Sequence, residues 1–319
     1  MAQLPSQDIL ALLEFKKGIK EDPTGYILQS WNEESIDFNG CPSSWNGIIC
    51  NGGNVAGVVL DNLNISADAD LSVFANLTML VKLSMSNNSI TGTIPTNIAD
   101  FRNIEYLDVS NNLFSSTLPP EVEKLRGLRN LSLAGNNFSG SIPSSLTKLK
   151  TLVSLNLSSN GFTEGIPNGF QQIPNLAVLD LHQNKLDGYI DDEFLLLTSA
   201  VHVDLSGNLL SSSKSQERKF LGGLSDSIKY LNLSNNQLTG SLVTVGEVPL
   251  FGNLKVLDLS YNQLSGELPE FNLVYELNVL RLGNNRFSGF VPNELLKGDS
   301  LVITELDLSS NNLSGTPHL

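Results

Sequence analysis

One phrase of apolar and polar positions recurs along most of this chain. Two leucine-type residues flank a single polar one. An asparagine follows three positions on, then an apolar residue, then an ending of the form Gly-x-Ile-Pro. Residues 131–143 (Leu-Ser-Leu-Ala-Gly-Asn-Asn-Phe-Ser-Gly-Ser-Ile-Pro) carry it most fully, and it returns at 107–119, 155–167, 179–190, 257–269 and 280–292. Looser copies start at Leu83, Val203, Leu231 and Leu306. The asparagine falls at Asn88, Asn112, Asn136, Asn160, Asn184, Asn208, Asn236, Asn262, Asn285 and Asn311. Its spacing is 24 residues five times over, then 28, 26, 23 and 26. An opening copy at 58–65 has Leu63 in the asparagine's place. The alternating pair predicts a short strand with one buried face. One coil cannot bury that face alone, so coils must stack, and stacking produces a parallel sheet over a continuous apolar core. The asparagine sits where the chain turns off the sheet, and its amide can both donate to and accept from the backbone groups stranded there.

A period of this length with this wording is identified as the leucine-rich repeat, and the Gly-x-Ile-Pro ending resembles the plant-specific class. The expected fold is an α/β repeat solenoid, a right-handed superhelix with a parallel concave sheet. The expected domains are an N-terminal cap over 1–54 and about eleven repeats over 55–319. Residues 6–20 read as an amphipathic helix capped by Ser6, with Ile9, Leu12, Leu13 and Ile19 as its stripe. Asp22–Gly25 ends it in a turn. A cap is a physical requirement, because the first coil otherwise exposes its apolar edge. The triplet Ser30-Trp31-Asn32 and the cluster Cys41…Trp45-x-Gly47-x-x-Cys50 are similar to the cap of plant leucine-rich-repeat receptor-like kinases. The wording at 35–47, 51–63 and 297–301 is closer to one guard-cell member of that family, whose kinase domain is inactive. The resemblance implies an extracellular ectodomain at the plasma membrane that binds a peptide or protein ligand, a co-receptor ectodomain, or both. It also implies a role in stomatal or stress signalling.

Cys41 and Cys50 are the only cysteines. They read as a disulfide pinning the cap, with a redox-sensitive pair as the alternative. Two thiolates with no histidine nearby do not make a metal site. A formal charge of −14 and a pI near 4.6 argue against nucleic acid and anionic membrane as partners. No apolar run approaches the roughly 18 residues of a membrane span, so membrane attachment would come through a segment absent from this chain. No charged-then-apolar leader precedes Gln3, which fits a mature chain with its signal peptide removed and an initiator Met added. Eight glycosylation sequons begin at Asn64, Asn76, Asn87, Asn130, Asn137, Asn156, Asn232 and Asn312. None uses a ladder asparagine.

Catalysis has little to stand on. There are three histidines and no nucleophile elbow, zinc-helix or phosphate-loop motif, so no enzyme activity, cofactor or metal is expected. Binding on the sheet is the alternative. Where the exposed columns depart from the repeat's own Asp and Ser, they carry Tyr106, Val178, His182, His202, Tyr230 and Arg281. Asp108, Asp180, Asp204 and Asp258 lie beside them. Val178, His182 and His202 read as one patch on adjacent coils, with Asp180 and Asp204 available to a basic peptide residue and the histidines able to confer pH sensitivity. Neutral surface variation is the competing reading. The long interval 211–224 holds Lys214, Arg218 and Lys219, read as the chain's basic cluster. It is either a longer convex loop or a contact patch for an acidic partner. A second, smaller insertion near 243–248 reads as a longer turn. The chain stops without the second cysteine pair that usually closes the family's ectodomains, which predicts a missing C-terminal cap. A secreted polygalacturonase-inhibitor-like protein and a truncated decoy receptor are the alternative functions.

Overall fold

The computed structural model describes residues 5–32, 40–190, 194–212, 225–242, 253–269, 276–296 and 303–315. Two compact units, Met1–Phe162 and Thr163–Leu319, are described in turn.

The first unit opens on the helix Gln7–Lys17, whose N-cap Ser6 accepts from the Ile9 N–H. Ile9, Leu12 and Phe15 are buried, and the Phe15 ring lies 4.9 Å from that of Phe74. Ile19 leaves the expected helical stripe. It begins the strand Ile19–Glu21, antiparallel to Ser66–Ala69. The reason is Gly18, which caps the helix through its N–H and whose carbonyl then accepts from the Asp68 N–H. Trp31 and Trp45 stack 5.6 Å apart, each donating its indole N–H to a cap carbonyl, those of Asn46 and Asn32. Cys41 and Cys50 form a disulfide beside them. The hairpin Ile48–Asn51 to Asn54–Val59 then turns on Gly52-Gly53, both at positive φ, as a two-residue hairpin requires.

From there the repeat phrase becomes structure. Strands Asn54–Val59, Lys82–Ser84, Tyr106–Asp108, Asn130–Ser132 and Ser154–Asn156 pair parallel in constant register. The Ser/Thr-Gly ending supplies a second parallel ladder, Ser66–Ala69, Ser89–Gly92, Leu113–Ser116 and Asn137–Ser141. Pro95, Pro119 and Pro143 close those strands and start 3₁₀ segments at Thr96–Asp100, Pro120–Lys124 and Ser144–Lys148. A proline lacks an N–H and has its φ preset, so it suits this junction. Between the ladders, Phe114, Phe138 and Phe162 stack at 6.5 and 6.3 Å. The asparagine ladder works as its chemistry suggests. Asn112 Oδ1 accepts from the Ile90 N–H, while its Nδ2 donates to the carbonyls of Met85, Val109 and Ser110.

Asp8 is the one buried acid among the described residues of the cap, accepting from the Val55 N–H at 2.7 Å. Desolvation pushes its carboxyl above the usual carboxylate range, against the opposing pull of that bond. A group that binds its proton more tightly folded than unfolded costs stability at neutral pH, and the cost disappears as pH falls below its unfolded pKa. We therefore expect Asp8→Asn to raise the denaturation midpoint at pH 7 and to lose that advantage near pH 3. Chemical denaturation at both pH values checks it, and an equal shift at both would refute the assignment.

In the second unit the strands Val178–Asp180, His202–Asp204, Tyr230–Asn232, Val256–Asp258, Val279–Arg281 and Glu305–Asp307 pair parallel in register. The second ladder comes in two pieces. Lys185–Ile190 pairs with Leu209–Ser212, and Thr239–Gly240 begins a separate run through Gln263–Glu267, Arg286–Phe290 and Asn312–Ser314. Between the pieces lie one bridge, Ser211 to Gln237, and the Ser212 hydroxyl donating to the Thr239 carbonyl. The break coincides with the interval that lengthens to 28 residues. Lys214, Arg218 and Lys219, the insertion at 243–248 and the final residues 316–319 lie outside the described residues.

Candidate functional site

The strand registers put each exposed residue in a row. In the second unit the position preceding the first buried strand residue reads Val178, His202, Tyr230, Val256, Val279, Glu305. The His202 and Tyr230 rings stack 4.1 Å apart and 7° from parallel. From Val178 to Val279 the row is an apolar and aromatic band containing the polar edges of His202 and Tyr230, and it ends at Glu305. The Tyr230 hydroxyl donates to Asp204 at 3.3 Å. Burial first, and then the Asp204 charge, push the phenol upward, so it remains a donor at neutral pH.

The next column is the aspartates, whose carboxylates are engaged within the chain. Asp204 is buried and fully engaged. One oxygen accepts from the N–H and hydroxyl of Ser206, and the other accepts from the Tyr230 hydroxyl and Asn232 Nδ2. Asp258 is likewise buried, holding Ser260 with one oxygen and Arg281 with the other. Asp180 spends an oxygen on His182, whose Nδ1 lies 2.6 Å away. The Leu-Asp-Leu-Ser wording therefore fixes the turn after each strand: the carboxylate binds the residue two positions on, an Asx arrangement. Asp204 has no lone pairs left for a ligand's cation. His182 is bonded to Asp180, and the His202 ring lies on that of Tyr230.

Arg281 lies in the aspartate column, beside the end of the row. Its guanidinium meets Glu305 twice, at 2.6 and 3.0 Å, and Asp258 at 3.3 Å. The Glu305 bonds, followed by those to Asp258, raise the Arg281 pKa further, and Arg281 in turn holds the Glu305 carboxyl below its usual range. The repeat pattern gives no sign of this fork, because the two residues are 24 apart and meet across one strand step. In the first unit, Lys82 Nζ sits 4.7 Å over the Tyr106 ring, and the Tyr106 hydroxyl donates to Asp108 at 3.2 Å. Burial followed by that aspartate raises the Tyr106 pKa too.

Among the sequons, Asn64, Asn76, Asn87, Asn137 and Asn312 are exposed. Asn130, Asn156 and Asn232 lie half-buried on strands. Asn156 and Asn232 hold the following serine by their side-chain oxygens. The first unit also holds a basic cluster that the sequence reading missed when it assigned that role to Lys214, Arg218 and Lys219. Lys124, Arg126, Lys148 and Lys150 line one cleft beside the 3₁₀ segments. The signal was available, since the two basic pairs are 24 residues apart.

Comparison with known proteins agrees with this geometry. A leucine-rich-repeat N-terminal domain matches residues 5–51, and leucine-rich repeats match 79–101, 103–125, 127–149, 151–173, 227–245, 253–272 and 303–319. The chain belongs to the leucine-rich-repeat family, with the capping domain of that family at its N-terminus. Across 99% of its length it is 64% identical to the LRR receptor-like serine/threonine-protein kinase GHR1 of Arabidopsis thaliana, and it spans 32% of that protein. The chain thus covers about a third of this relative. Its fold is similar to that of the Arabidopsis receptor kinase HAESA, solved in complex with the peptide hormone IDA and the co-receptor SERK1. There the TM-score is 0.73 and identity 29%, covering 96% of this chain and 54% of that one. It is also similar to the ectodomain of GASSHO1/SCHENGEN3 from Arabidopsis thaliana, solved in complex with CASPARIAN STRIP INTEGRITY FACTOR 2. There the TM-score is 0.75 and identity 27%, covering 97% of this chain and 42% of that one.

Proposed function

We propose that this chain is the extracellular, ligand-binding part of a plant receptor-like kinase, and that it captures a peptide along the open face of its strand ladder. The similarity to GHR1 supports a membrane receptor with guard-cell or stress signalling as its output. The two structural relatives carrying peptide ligands support a peptide as the ligand class, and the one carrying SERK1 supports a co-receptor ectodomain as a second partner. The observation that carries the reading is the His202–Tyr230 stack inside the row from Val178 to Val279. The Tyr230 ring, bonded to Asp204 and stacked on His202, loses little entropy on binding, which is what an interface anchor needs. The band suits an extended, largely apolar peptide. Its end beside the Arg281–Glu305 fork suits a polar terminus that exchanges partners with that ion pair. With Asp204 engaged, a basic ligand residue is expected near Glu305 or Asp180 instead.

A displayed library of extended peptides, selected on the purified chain, supplies the probe. Tyr230→Ala is expected to weaken the selected peptides by about 2 kcal/mol, roughly thirtyfold, with the fold intact by circular dichroism. Peptides that bind Tyr230→Ala and His202→Ala as tightly as the parent would place recognition elsewhere.

A further inference from the structure

Three of the exposed sequons share one place in the repeat. Asn64, Asn137 and Asn312 each directly follow the ladder position, which is held by Leu63, Asn136 and Asn311. Each is followed by a residue that turns inward: Ile65 and Phe138 are fully buried, and Leu313 is half-buried. The inward residue is also fixed through its backbone, since the Ile65 and Phe138 N–H groups donate to Asn88 and Asn160. With that side chain committed to the core, the asparagine before it is left facing solvent. A fourth sequon begins at Asn76, the last residue of the 3₁₀ segment Leu71–Asn76, which buries Leu71 and Phe74 instead. All four asparagines are exposed, and among the described residues no side-chain hydrogen bond engages them.

The other sequons have amides that the fold uses or encloses. Asn232 Nδ2 donates to Asp204 at 3.2 Å while its Oδ1 accepts from the Ser234 N–H. Asn156 Oδ1 accepts from both the N–H and the hydroxyl of Ser158. Asn130 lies between Tyr106 and Ser154, its register partners on the two neighbouring strands. Strands in a ladder stand about 4.8 Å apart, so a sugar on any of these half-buried amides would have to rise between the side chains of adjoining coils. Asn87 is exposed, yet its amide is the middle link between coils. Its Nδ2 donates to Asn62 at 3.0 Å, and its Oδ1 accepts from Asn111 at 2.7 Å.

We infer that Asn64, Asn76, Asn137 and Asn312 carry N-linked oligosaccharides in the exported protein, and that Asn87, Asn130, Asn156 and Asn232 do not. This rests on the extracellular reading of the chain. The donor is a polyprenyl-diphosphate oligosaccharide of the secretory pathway. The amide nitrogen attacks the anomeric carbon, the C–N bond forms, and the C–O bond to the diphosphate breaks with its electron pair leaving on the diphosphate. One Nδ2 proton passes to a base of the transferase. Transfer precedes complete folding, so the fold acts by selection. A bulky sugar on an outward amide lets its coil close. On Asn232 or Asn87 it removes a hydrogen from an amide shared between coils and crowds the next one. In each unit the glycans then stand off the strand face, and the His202–Tyr230 row is left bare.

Secreting the chain from plant cells behind an export signal tests the assignment. Enzymatic release of the glycans in heavy-oxygen water leaves a labelled aspartate at every occupied site, which peptide mass spectrometry reads. We expect label at Asn64, Asn76, Asn137 and Asn312 and none at the other sequons. On a gel, N64Q, N76Q, N137Q and N312Q should each lose the mass of one glycan, whereas N87Q and N232Q should migrate as the parent does. Label at Asn87 or at any strand-face asparagine, or its absence at Asn137, would overturn the assignment. The native protein isolated from plant membranes separates this outcome from the reading beneath it. If it is bare at every sequon while the secreted chain is labelled as expected, the extracellular reading fails. If it carries glycan on Asn87 or the strand face, the assignment alone fails.

Discussion

Asn136→Ala is expected to destabilise the chain by about 3 kcal/mol, although its side chain touches no ligand and carries no charge. Asn136 is buried. Its Oδ1 accepts from the Phe114 N–H at 2.9 Å, and its Nδ2 donates to the carbonyls of Val109, Leu133 and Ala134. The four losses are unequal. The Val109 carbonyl keeps Asn112 Nδ2, the Leu133 carbonyl keeps Asn160 Nδ2, and the Ala134 carbonyl keeps the Asn111 N–H. The Phe114 N–H has no such reserve, and a buried donor left without a partner is the costly case. Damage should centre on the coil before the mutated one. Hydrogen exchange would then show the Phe114 amide losing protection while the cap amides near Val55 keep theirs. A loss below about 1 kcal/mol by chemical denaturation, no more than one ordinary hydrogen bond contributes, would mean that water replaces the amide in the turn. The chain contains its own control in Leu63, which takes the ladder place in the opening coil. No earlier repeat turn lies above Leu63 to need an amide. The one below is served by Asn88, which accepts from both Leu63 and Ile65 N–H groups.

This is also why so much of the fold could be read from the letters. Ladder asparagines, strand residues and exposed columns obey one period, so any position could be assigned a face by counting from the nearest Leu-x-Leu. Several of the contacts that counting misses cross coils through side chains. Counting places Asp204 on the open face, but it does not show that Tyr230 and Asn232, a coil later, occupy its second oxygen. It puts Arg281 and Glu305 in separate columns and misses the fork between them. The spacing of Ile19 from Leu12 suits a helix, whereas Gly18 and the edge of Ser66–Ala69 draw it into a strand. Lys124 and Lys148 repeat at the same period on the 3₁₀ side, where counting from the strand residues assigns no exposed column.

Trp31→Ala is expected to remove about 3–5 kcal/mol, the usual loss for truncating a fully buried large aromatic, and to show what the cap does for the repeats. Trp31 is wholly buried between Trp45 at 5.6 Å and Phe15 at 6.3 Å. Its Nε1 donates to the Asn46 carbonyl, and its own carbonyl accepts from Lys16 Nζ at 2.5 Å. One side chain thus joins the helix, the disulfide loop and, through Phe15 and Phe74, the first 3₁₀ segment. Trp31→Phe keeps much of the ring and loses only the indole donor, so it should forfeit less, with about 1–3 kcal/mol coming from the stranded Asn46 carbonyl. Neighbour-to-neighbour stacking confines the damage, because each coil's stability depends chiefly on those beside it. The truncated variant should therefore lose exchange protection across Gln7–Lys17 and Leu71–Asn76, while strands such as Ser154–Asn156 remain protected. Once the helix detaches, Phe74 and the apolar edge of the first coil meet water, and that surface favours aggregation. The expected cellular result is retention of Trp31→Ala along the export route, with Trp31→Phe exported at near-parental levels. Uniform loss of protection along both units would refute the local-damage account and make the chain one cooperative block, in which a cap defect is felt at Val178–Asp180 as strongly as beside Phe74.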